Sequence, residues 1–303
     1  MDDTPQSQVK DVYSLVARRM TRVFLSVLLV TLATYAVGTG LIKKYFYYSA
    51  LPPTAHKNYA LQTYKDIYGN ACNVAVVRLQ NDALYATDSQ AQYAGYGYGA
   101  DVLVSQIEQA KDAQNIKGLL LEVDSPGGSP VGGELISKAL KALGKPSVAL
   151  IYDEGDSAAY FAATGATTII ASPFSMVGDI GVTGSFIDYS GANQKAGNTF
   201  VQISSGKYKD AGNPDKPLTA EELALLRGNV DIEYRTLVEE IAQNRNMSTT
   251  TVTELADGAA IPGSLALKRG LVDALGNLET ARQWFAQKFS GKVVLCDPDQ
   301  FEQ

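Results

Sequence analysis

From Asn73 onward, the sequence alternates between short apolar runs of strand length and longer segments with helical periodicity. This alternation is typical of an α/β fold with mainly parallel strands, because parallel neighbours are joined by crossover helices. The predicted strands are 73–78, 116–123, 147–152, 167–171 and 199–204, and the predicted helices are 101–112, 131–143 and 157–164. A further helix is predicted from a Thr219 cap to about Asn244, since Glu222 completes a capping-box pattern with Thr219.

A second constraint is an uncharged apolar run, Val23–Ile42, near the N-terminus. Its 20 residues would span about 30 Å as a helix, enough to cross a bilayer core. The run exceeds a typical signal-peptide core, and Lys43 and Lys44 follow it instead of small residues, so an uncleaved anchor is predicted. The predicted organisation is a cytoplasmic tail 1–22, an anchor 23–42, a stalk 43–70 and an α/β domain 71–298.

Positive charges flank the predicted anchor unequally. Four basic residues precede it, at positions 10, 18, 19 and 22, and Lys43 and Lys44 follow it directly. This bias favours an N-terminus inside the cell. We therefore expect a single-pass protein of the cell membrane with its α/β domain outside the cytoplasm and its helix in contact with lipid.

Composition excludes several kinds of chemistry. The net charge of −6 argues against nucleic acid as a partner, because phosphate binding needs a basic patch. The only histidine, His56, lies beside Pro52 and Pro53 in the predicted stalk, which disfavours a Ser-His-Asp triad, a Cys-His dyad and a histidine zinc site. Cys72 and Cys296 form no ligand cluster, so no metal is expected. Two alternatives remain for them: a disulfide, if the domain lies outside the cytoplasm, or two buried thiols, which is the simpler interpretation.

Two loops follow predicted strands. In Asp124-Ser125-Pro126-Gly127-Gly128, the paired glycines permit a sharp turn whose amides approach a bound carbonyl closely. At a helix start these amides resemble half of an oxyanion hole, although such a turn is also an ordinary strand-to-helix connection.

The second loop, Gly155-Asp156-Ser157-Ala158, places a serine at a strand-to-helix turn. Ser157 is therefore a candidate nucleophile, and the amide of Ala158 is a candidate second oxyanion donor. The alternative is that Asp156 or Ser157 merely caps the helix.

A nucleophilic Ser157 needs a base, and histidine is unsuitable here. Lys207 and Lys209 follow the predicted strand 199–204. A free lysine has a pKa of about 10.4, so burial must lower that pKa before the amine accepts a proton near neutrality. By pattern alone, both lysines are solvated loop charges.

Taken together, five ordered motifs make the chain similar to the signal peptide peptidase A family of serine proteases, from about Asn73 to Glu279 and including the anchor. The motifs are VDSPGG, the Ser157 loop, MVGDIGVTG, SGKYKDAGNP and GAAIPGSLALKRGLVDALGNLETA. The resemblance implies a Clp protease/crotonase-like spiral of ββα units preceded by one transmembrane helix.

The resemblance also implies a Ser/Lys dyad without a cofactor. Ser157 matches the nucleophile and Lys209 the general base, with Lys207 as the alternative, while Gly127 and Gly128 match the oxyanion loop. The implied function is endopeptidase cleavage of remnant signal peptides or similar apolar peptides through an acyl-enzyme. Members assemble into rings or domes in which neighbouring protomers complete each other's sites, so a homo-oligomer is expected.

Two motifs depart from the family pattern. Ser157-Ala158-Ala159 replaces the usual Ser-Gly-Gly, and alanine still provides the amide. Asp179 replaces a serine implicated in orienting the lysine, and a carboxylate beside Lys209 would raise the lysine pKa. The alternative is a catalytically weak or inactive member acting as a membrane-bound scaffold or peptide binder. A third interpretation keeps the fold and the oxyanion chemistry but makes the protein a crotonase-like acyl-CoA enzyme, in which the anchor and SGKYKD would have no role.

Overall fold

The structure is a computed structural model that describes residues 72–80, 84–94 and 98–296. Its strands are β1 (Val74–Gln80), β2 (Leu84–Tyr85), β3 (Tyr98–Gly99), β4 (Gly118–Ser125), β5 (Ser147–Asp156), β6 (Thr168–Ala171), β7 (Met176–Gly178), β8 (Ala260–Pro262), β9 (Ala274–Leu275) and β10 (Leu295–Cys296). Its helices are α1 (Asp88–Ala94), α2 (Ala100–Asp112), α3 (Pro130–Ala142), α4 (Ser157–Ala163), α5 (Ser190–Lys195), α6 (Ala220–Arg245), α7 (Thr249–Leu255), α8 (Gly263–Lys268) and α9 (Leu278–Phe289).

The main sheet is largely parallel. Its strands follow the order β10-β1-β4-β5-β6-β9, and every neighbouring pair in that path is parallel. The long strand β5 pairs with β6 through its first half and with β7 through Glu154–Asp156. β8 then pairs antiparallel with β7. The mixed α/β fold with a mostly parallel sheet, predicted from the alternation, is confirmed.

Helices cover both faces of this sheet. Along β4, Leu119 and Leu121 join one apolar cluster together with residues of α2, α3 and α4, whereas Leu120 joins a second cluster with Phe285 of α9. Because alternate side chains of a strand point to opposite faces, both sets are buried only if both faces are covered. This explains why the sequence of β4 is an uninterrupted apolar run.

Most predicted elements agree with the structure to within two residues at each end. The exception is β5, which continues four residues past the predicted end at Tyr152, to Asp156, because β7 gives its last residues a hydrogen-bonding partner. Thr219 caps α6 through the predicted reciprocal capping box with Glu222.

The predicted strand at 199–204 is wrong. These residues have no regular secondary structure, and Val201 and Ile203 are 71 % and 91 % exposed. Their apolar alternation favours a strand, but a strand needs a neighbour for its backbone hydrogen bonds. Within the described residues, this chain provides no such neighbour.

Cys72 and Cys296 form a disulfide, with their Cα atoms 5.3 Å apart. The interpretation as two buried thiols is therefore wrong. The bond joins Cys72, just before β1, to Cys296 at the end of β10. These two strands are neighbours in the sheet, with Val74 and Ala75 paired to Leu295 and Cys296. The disulfide thus ties the two ends of the described chain together across 224 residues.

The predicted tail, anchor and stalk, with His56, lie outside the described residues. In the part of the chain that the structure describes, no helix is both long enough and apolar enough to span a bilayer. The described residues all belong to the unit Tyr59–Gln303.

Candidate active site

The carboxyl ends of β4 and β5 lie side by side, with Ser125 paired to Gly155. The two candidate loops leave these strand ends in the same direction, because the strands are parallel. The turn Pro126–Gly128 precedes α3, and Ser157 begins α4. The topology therefore brings together two loops that are about 30 residues apart in sequence.

Ser157 has an unusual backbone conformation. Its φ is +52°, in the left-handed region that residues with a Cβ rarely occupy. Asp156, at the cap position of α4, makes no side-chain capping hydrogen bond, so the structure does not favour the plain-cap interpretation. A strained serine at a strand-to-helix turn, partly exposed, is how several hydrolases present a nucleophile.

Gly127 lies directly against the Ser157 turn. Its φ is +95°, and a Cβ placed on it would lie 2.6 Å from the carbonyl oxygen of Asp156 and 2.8 Å from both the amide nitrogen of Ala158 and the Cβ of Ser157. Real Cβ atoms do not approach other atoms so closely. Only glycine at position 127 lets the two loops meet.

The hydrogen bonds of the glycine turn separate Gly127, whose amide already has an acceptor, from the other predicted oxyanion donors, Gly128 and Ala158. The Gly127 amide already donates to Ser125 Oγ at 3.2 Å. The turn also forms a parallel bridge with Leu84, whose amide donates to Gly127 O at 2.8 Å and whose carbonyl accepts from Ser129 N at 2.7 Å. In such a bridge the central residue, Gly128, directs its own amide to the opposite edge.

The Ala158 amide is the second available donor. It lies in the first turn of α4, where an amide has no acceptor within the helix. Gly128 and Ala158 therefore fit the donor role better than Gly127, whose contribution is the close approach of the two loops. Ser125 and Leu84, which fix this turn, were not identified from the sequence. Ser125 has a weak signal, a hydroxyl two residues before a glycine amide, and Leu84 has none.

The two candidate lysines differ in their contacts. Lys207 Nζ lies 2.6 Å from Glu221 Oε2, and this hydrogen bond raises the pKa of Lys207. Lys209 is exposed, and among the described residues it forms no ion pair and no hydrogen bond to Ser157. The assignment of Lys209 as base stays a prediction, and the exposed ion pair of Lys207 with Glu221 favours the ammonium form of the alternative base.

Asp179 follows β7 with a φ of +44°, and its amide donates to Ala259 O at 3.2 Å. Because Gly178 pairs with Asp156 across β5 and β7, Asp179 lies next to the end of β5. Burial raises the pKa of Asp179. Its predicted role in orienting Lys209 stays a prediction.

Asp156 is the residue of this region that the predicted site did not include. Burial, then the charges of Asp179 and Glu154, raise the pKa of Asp156 to about 6. Its Oδ1 atom is buried, and no described residue gives it a hydrogen-bond partner. Its position next to Ser157 was the one available sequence signal. Among the described residues, no group of three or more histidine, cysteine, aspartate or glutamate side chains is arranged to hold a metal ion.

Known proteins resemble the chain over this region. A putative protease of Methanocaldococcus jannaschii is 34 % identical over 180 residues, which is 59 % of this chain and 58 % of that protein. A putative signal peptide peptidase of Enterococcus faecium is 32 % identical over 215 residues, which is 70 % of this chain and 62 % of that protein. A chloroplastic serine protease of Arabidopsis thaliana is 30 % identical over 205 residues, which is 65 % of this chain and 30 % of that protein.

The chain thus spans about three fifths of the length of the first two of these relatives. The family model described as peptidase family S49 matches residues 139–291. This span is half of the chain and includes Ser157, Asp179 and Lys209, while the turn at Gly127 precedes it. The chain belongs to peptidase family S49.

Proposed function

We propose that this protein is a membrane-anchored serine endopeptidase in which Ser157 is the nucleophile and Lys209 the general base. Ser157 Oγ attacks the carbonyl carbon of a peptide bond, and its proton passes to Lys209 Nζ. The amides of Gly128 and Ala158 stabilise the oxyanion of the tetrahedral intermediate. The intermediate expels the amine, which takes the proton from Lys209, and water then hydrolyses the acyl-enzyme.

One observation carries this proposal: Ser157 adopts a φ of +52° while Gly127 is pressed against its turn. A left-handed serine costs about 1–3 kcal/mol, so the surrounding structure must maintain it. This arrangement brings the Ser157 turn and the Ala158 amide against the glycine turn, and among the described residues no acceptor is recorded for the amides of Gly128 and Ala158. Acyl transfer is the chemistry that such a group of atoms serves best.

Lys209 must lose its exposure before it acts as a base. In water its ammonium form dominates at neutral pH, and burial is the effect that lowers a lysine pKa. The single chain leaves Lys209 exposed. We therefore expect a second copy of the chain to bury Lys209 against Ser157 of its neighbour.

The segment around Lys209 supports such assembly. Residues 183–209 are largely exposed, and six of the exposed side chains are large and mainly apolar: Phe186, Ile187, Tyr189, Val201, Ile203 and Tyr208. Soluble monomers rarely expose this much apolar surface in one segment. The unpaired backbone of 199–204 is also suited to pair with a strand of another copy. A homo-oligomeric ring or dome with a Clp protease-like spiral fold is the proposed form.

The anchor at 23–42 and an extracytoplasmic site remain part of the proposal. The disulfide between Cys72 and Cys296 supports that location, because such bonds persist in oxidising compartments. The name of the Enterococcus relative supports remnant signal peptides, or similar apolar peptides, as substrates.

The acidic surroundings of Ser157 favour one second candidate. Asp156 and Asp179 lie beside the nucleophile, and an additional negative charge there opposes both oxyanion formation and a neutral lysine. A catalytically weak member that binds peptides at the membrane is the alternative.

The test uses the full chain in detergent and a fluorogenic apolar peptide. We expect Lys209→Ala to lower kcat/KM about 10²–10⁴-fold, as for loss of a general base, and Lys207→Ala to lower it much less. Mixing Ser157→Ala with Lys209→Ala before assembly should restore activity, since one mixed interface retains both groups.

Two results would overturn parts of this proposal. Loss of activity in Lys207→Ala with retention in Lys209→Ala would move the base to Lys207. Wild-type protein that assembles but does not cleave any apolar peptide would favour the peptide-binding alternative.

A further inference from the structure

Asp156 and Asp179 meet at the junction of β5 and β7. Asp156 ends β5 opposite Gly178, and Asp179 is the next residue after Gly178. Asp179 has a left-handed φ of +44°, and its amide donates a hydrogen bond to Ala259 O, which holds the backbone there. The backbone of Asp179 therefore lies beside Asp156, the residue that precedes Ser157.

The charged residues that flank the two carboxyls on β4, β5 and the loop before β8 are acidic. Glu154, on β5, adds negative charge to Asp156. From β4, Asp124 Oδ1 accepts the amides of Asp153 and Glu154, both at 3.2 Å.

On the β8 side, Asp257 Oδ1 accepts the amide of Ala259 at 3.0 Å. The turn Pro126–Gly128 and the first turn of α4 carry no charge. Among the described residues, no lysine or arginine contributes to the pKa of Asp156 or Asp179.

Asp156 is half-buried, and one of its carboxylate oxygens lacks the usual compensation for burial. Its Oδ1 is buried and has no hydrogen-bond partner among the described residues. A desolvated carboxylate beside another carboxyl ionises reluctantly, and ionisation of one group opposes that of the other. Groups coupled in this way lose their protons in steps that belong to the pair.

We infer that Asp156 and Asp179 titrate as one coupled pair that sets the charge facing Ser157. This inference rests on the proposed function for its consequence in catalysis. Asp156 is a positioning residue here, because it acts on Ser157 and the base through charge and touches no reacting atom. The last ionisation of the pair adds a negative charge, which disfavours the oxyanion and stabilises any lysine ammonium nearby.

The first experiment does not depend on catalysis. Urea unfolding midpoints of the full chain in detergent are measured from pH 4 to pH 8 for wild type, Asp156→Asn, Asp179→Asn and the double variant. The raised pKa of Asp156 means that the folded state binds the proton more tightly, so stability is lost as pH rises from its unfolded value toward about 6. The unfolding midpoint of Asp156→Asn relative to wild type should therefore increase as pH rises.

Coupling makes that gain smaller in the Asp179→Asn background, because the neighbouring charge is already absent. Asp231→Asn, an exposed aspartate on α6, is the matched control and should show no pH-dependent gain. A gain from Asp156→Asn that is independent of pH, or equal in both backgrounds, would overturn the inference.

The second experiment reads the consequence at Ser157. The rate of fluorophosphonate labelling is measured against pH in the same variants. Asp156→Asn and Asp179→Asn should each shift the rising part of the curve of labelling rate against pH to lower pH. The shift in the double variant should be smaller than the sum of the two single shifts. If no variant is labelled, the proposed function fails, whereas the unfolding comparison still decides whether the pair is coupled.

Discussion

Gly127 lies against Ser157 so closely that a Cβ on the glycine would be 2.8 Å from the Cβ of the serine. This relationship joins the turn after β4 to the start of α4. It also makes position 127 sensitive to the smallest substitution.

Gly127→Ala should therefore destabilise the fold by about 3 kcal/mol or more, through left-handed strain and overpacking together. It should also separate Gly128 from Ala158 and lower the labelling rate of Ser157. Urea unfolding and labelling of the same preparation measure both effects.

Gly144→Ala is the matched control. Gly144 also has a positive φ, +70°, but a Cβ there would meet nothing within 4 Å. That substitution should cost about 1–2 kcal/mol from backbone strain alone and leave labelling unchanged. Equal costs at the two positions would contradict the close contact.

The buried ion pair between Lys216 and Glu222 should make stability depend on acid pH. Lys216 Nζ lies 2.6 Å from Glu222 Oε1, and this bond, followed by the Thr219 amide, lowers the pKa of Glu222 to about 2. A lowered carboxyl pKa stabilises the fold above the unfolded value, near 4.5, and that stability is lost as pH falls toward 2.

Glu222→Gln should remove this acid-dependent loss and be less stable than wild type at pH 7, because Lys216 is left buried without a counter-charge. Unfolding midpoints at pH 3, 4, 5 and 7 measure the difference. If the unfolding midpoint changes with pH by the same amount in wild type and variant over that range, the Lys216–Glu222 pair does not contribute to the acid dependence of stability.

The Cys72–Cys296 bond should stabilise the edge of the sheet. Replacing both cysteines by serine should lower the free energy of unfolding by about 2–5 kcal/mol, as for removal of other native disulfides. Reducing agent should lower the wild-type midpoint and leave the double variant unchanged. A wild-type midpoint that does not respond to reduction would contradict the bond.

The four strands β1, β4, β5 and β6 of the main sheet could be predicted from the sequence because they are mostly buried, whereas the short strands β7–β10 were not predicted. In β4, Leu119, Leu120 and Leu121 form a continuous apolar run, which turn residues bound on each side. The capping box of Thr219 and Glu222 is similarly local, so its pattern was sufficient. The predicted strand at 199–204 was wrong because apolar alternation cannot show whether a neighbouring strand exists.

The missing parts of the candidate site depend on tertiary contacts. The charge that Asp179 imposes on Asp156 arises only when β7 pairs with the end of β5. The disulfide joins residues 224 positions apart, a proximity that no local pattern indicates. The turns that carry Gly127, Gly128, Ser157 and Ala158 could be placed because they follow predictable strands, and the roles of these residues stay predictions. The predicted pairing of Lys209 with Ser157 stays a prediction, because the single chain leaves that lysine exposed.

The most direct test of the central proposal is labelling of Ser157 by a fluorophosphonate, which reacts only with an activated serine. The full chain, assembled in detergent at pH 7–9, should gain one label per chain, and peptide mapping should locate it on Ser157. Ser157→Ala should take up none while assembling normally. Absence of labelling in assembled wild-type protein, or a label on another serine that persists in Ser157→Ala, would contradict the assignment of Ser157 as nucleophile.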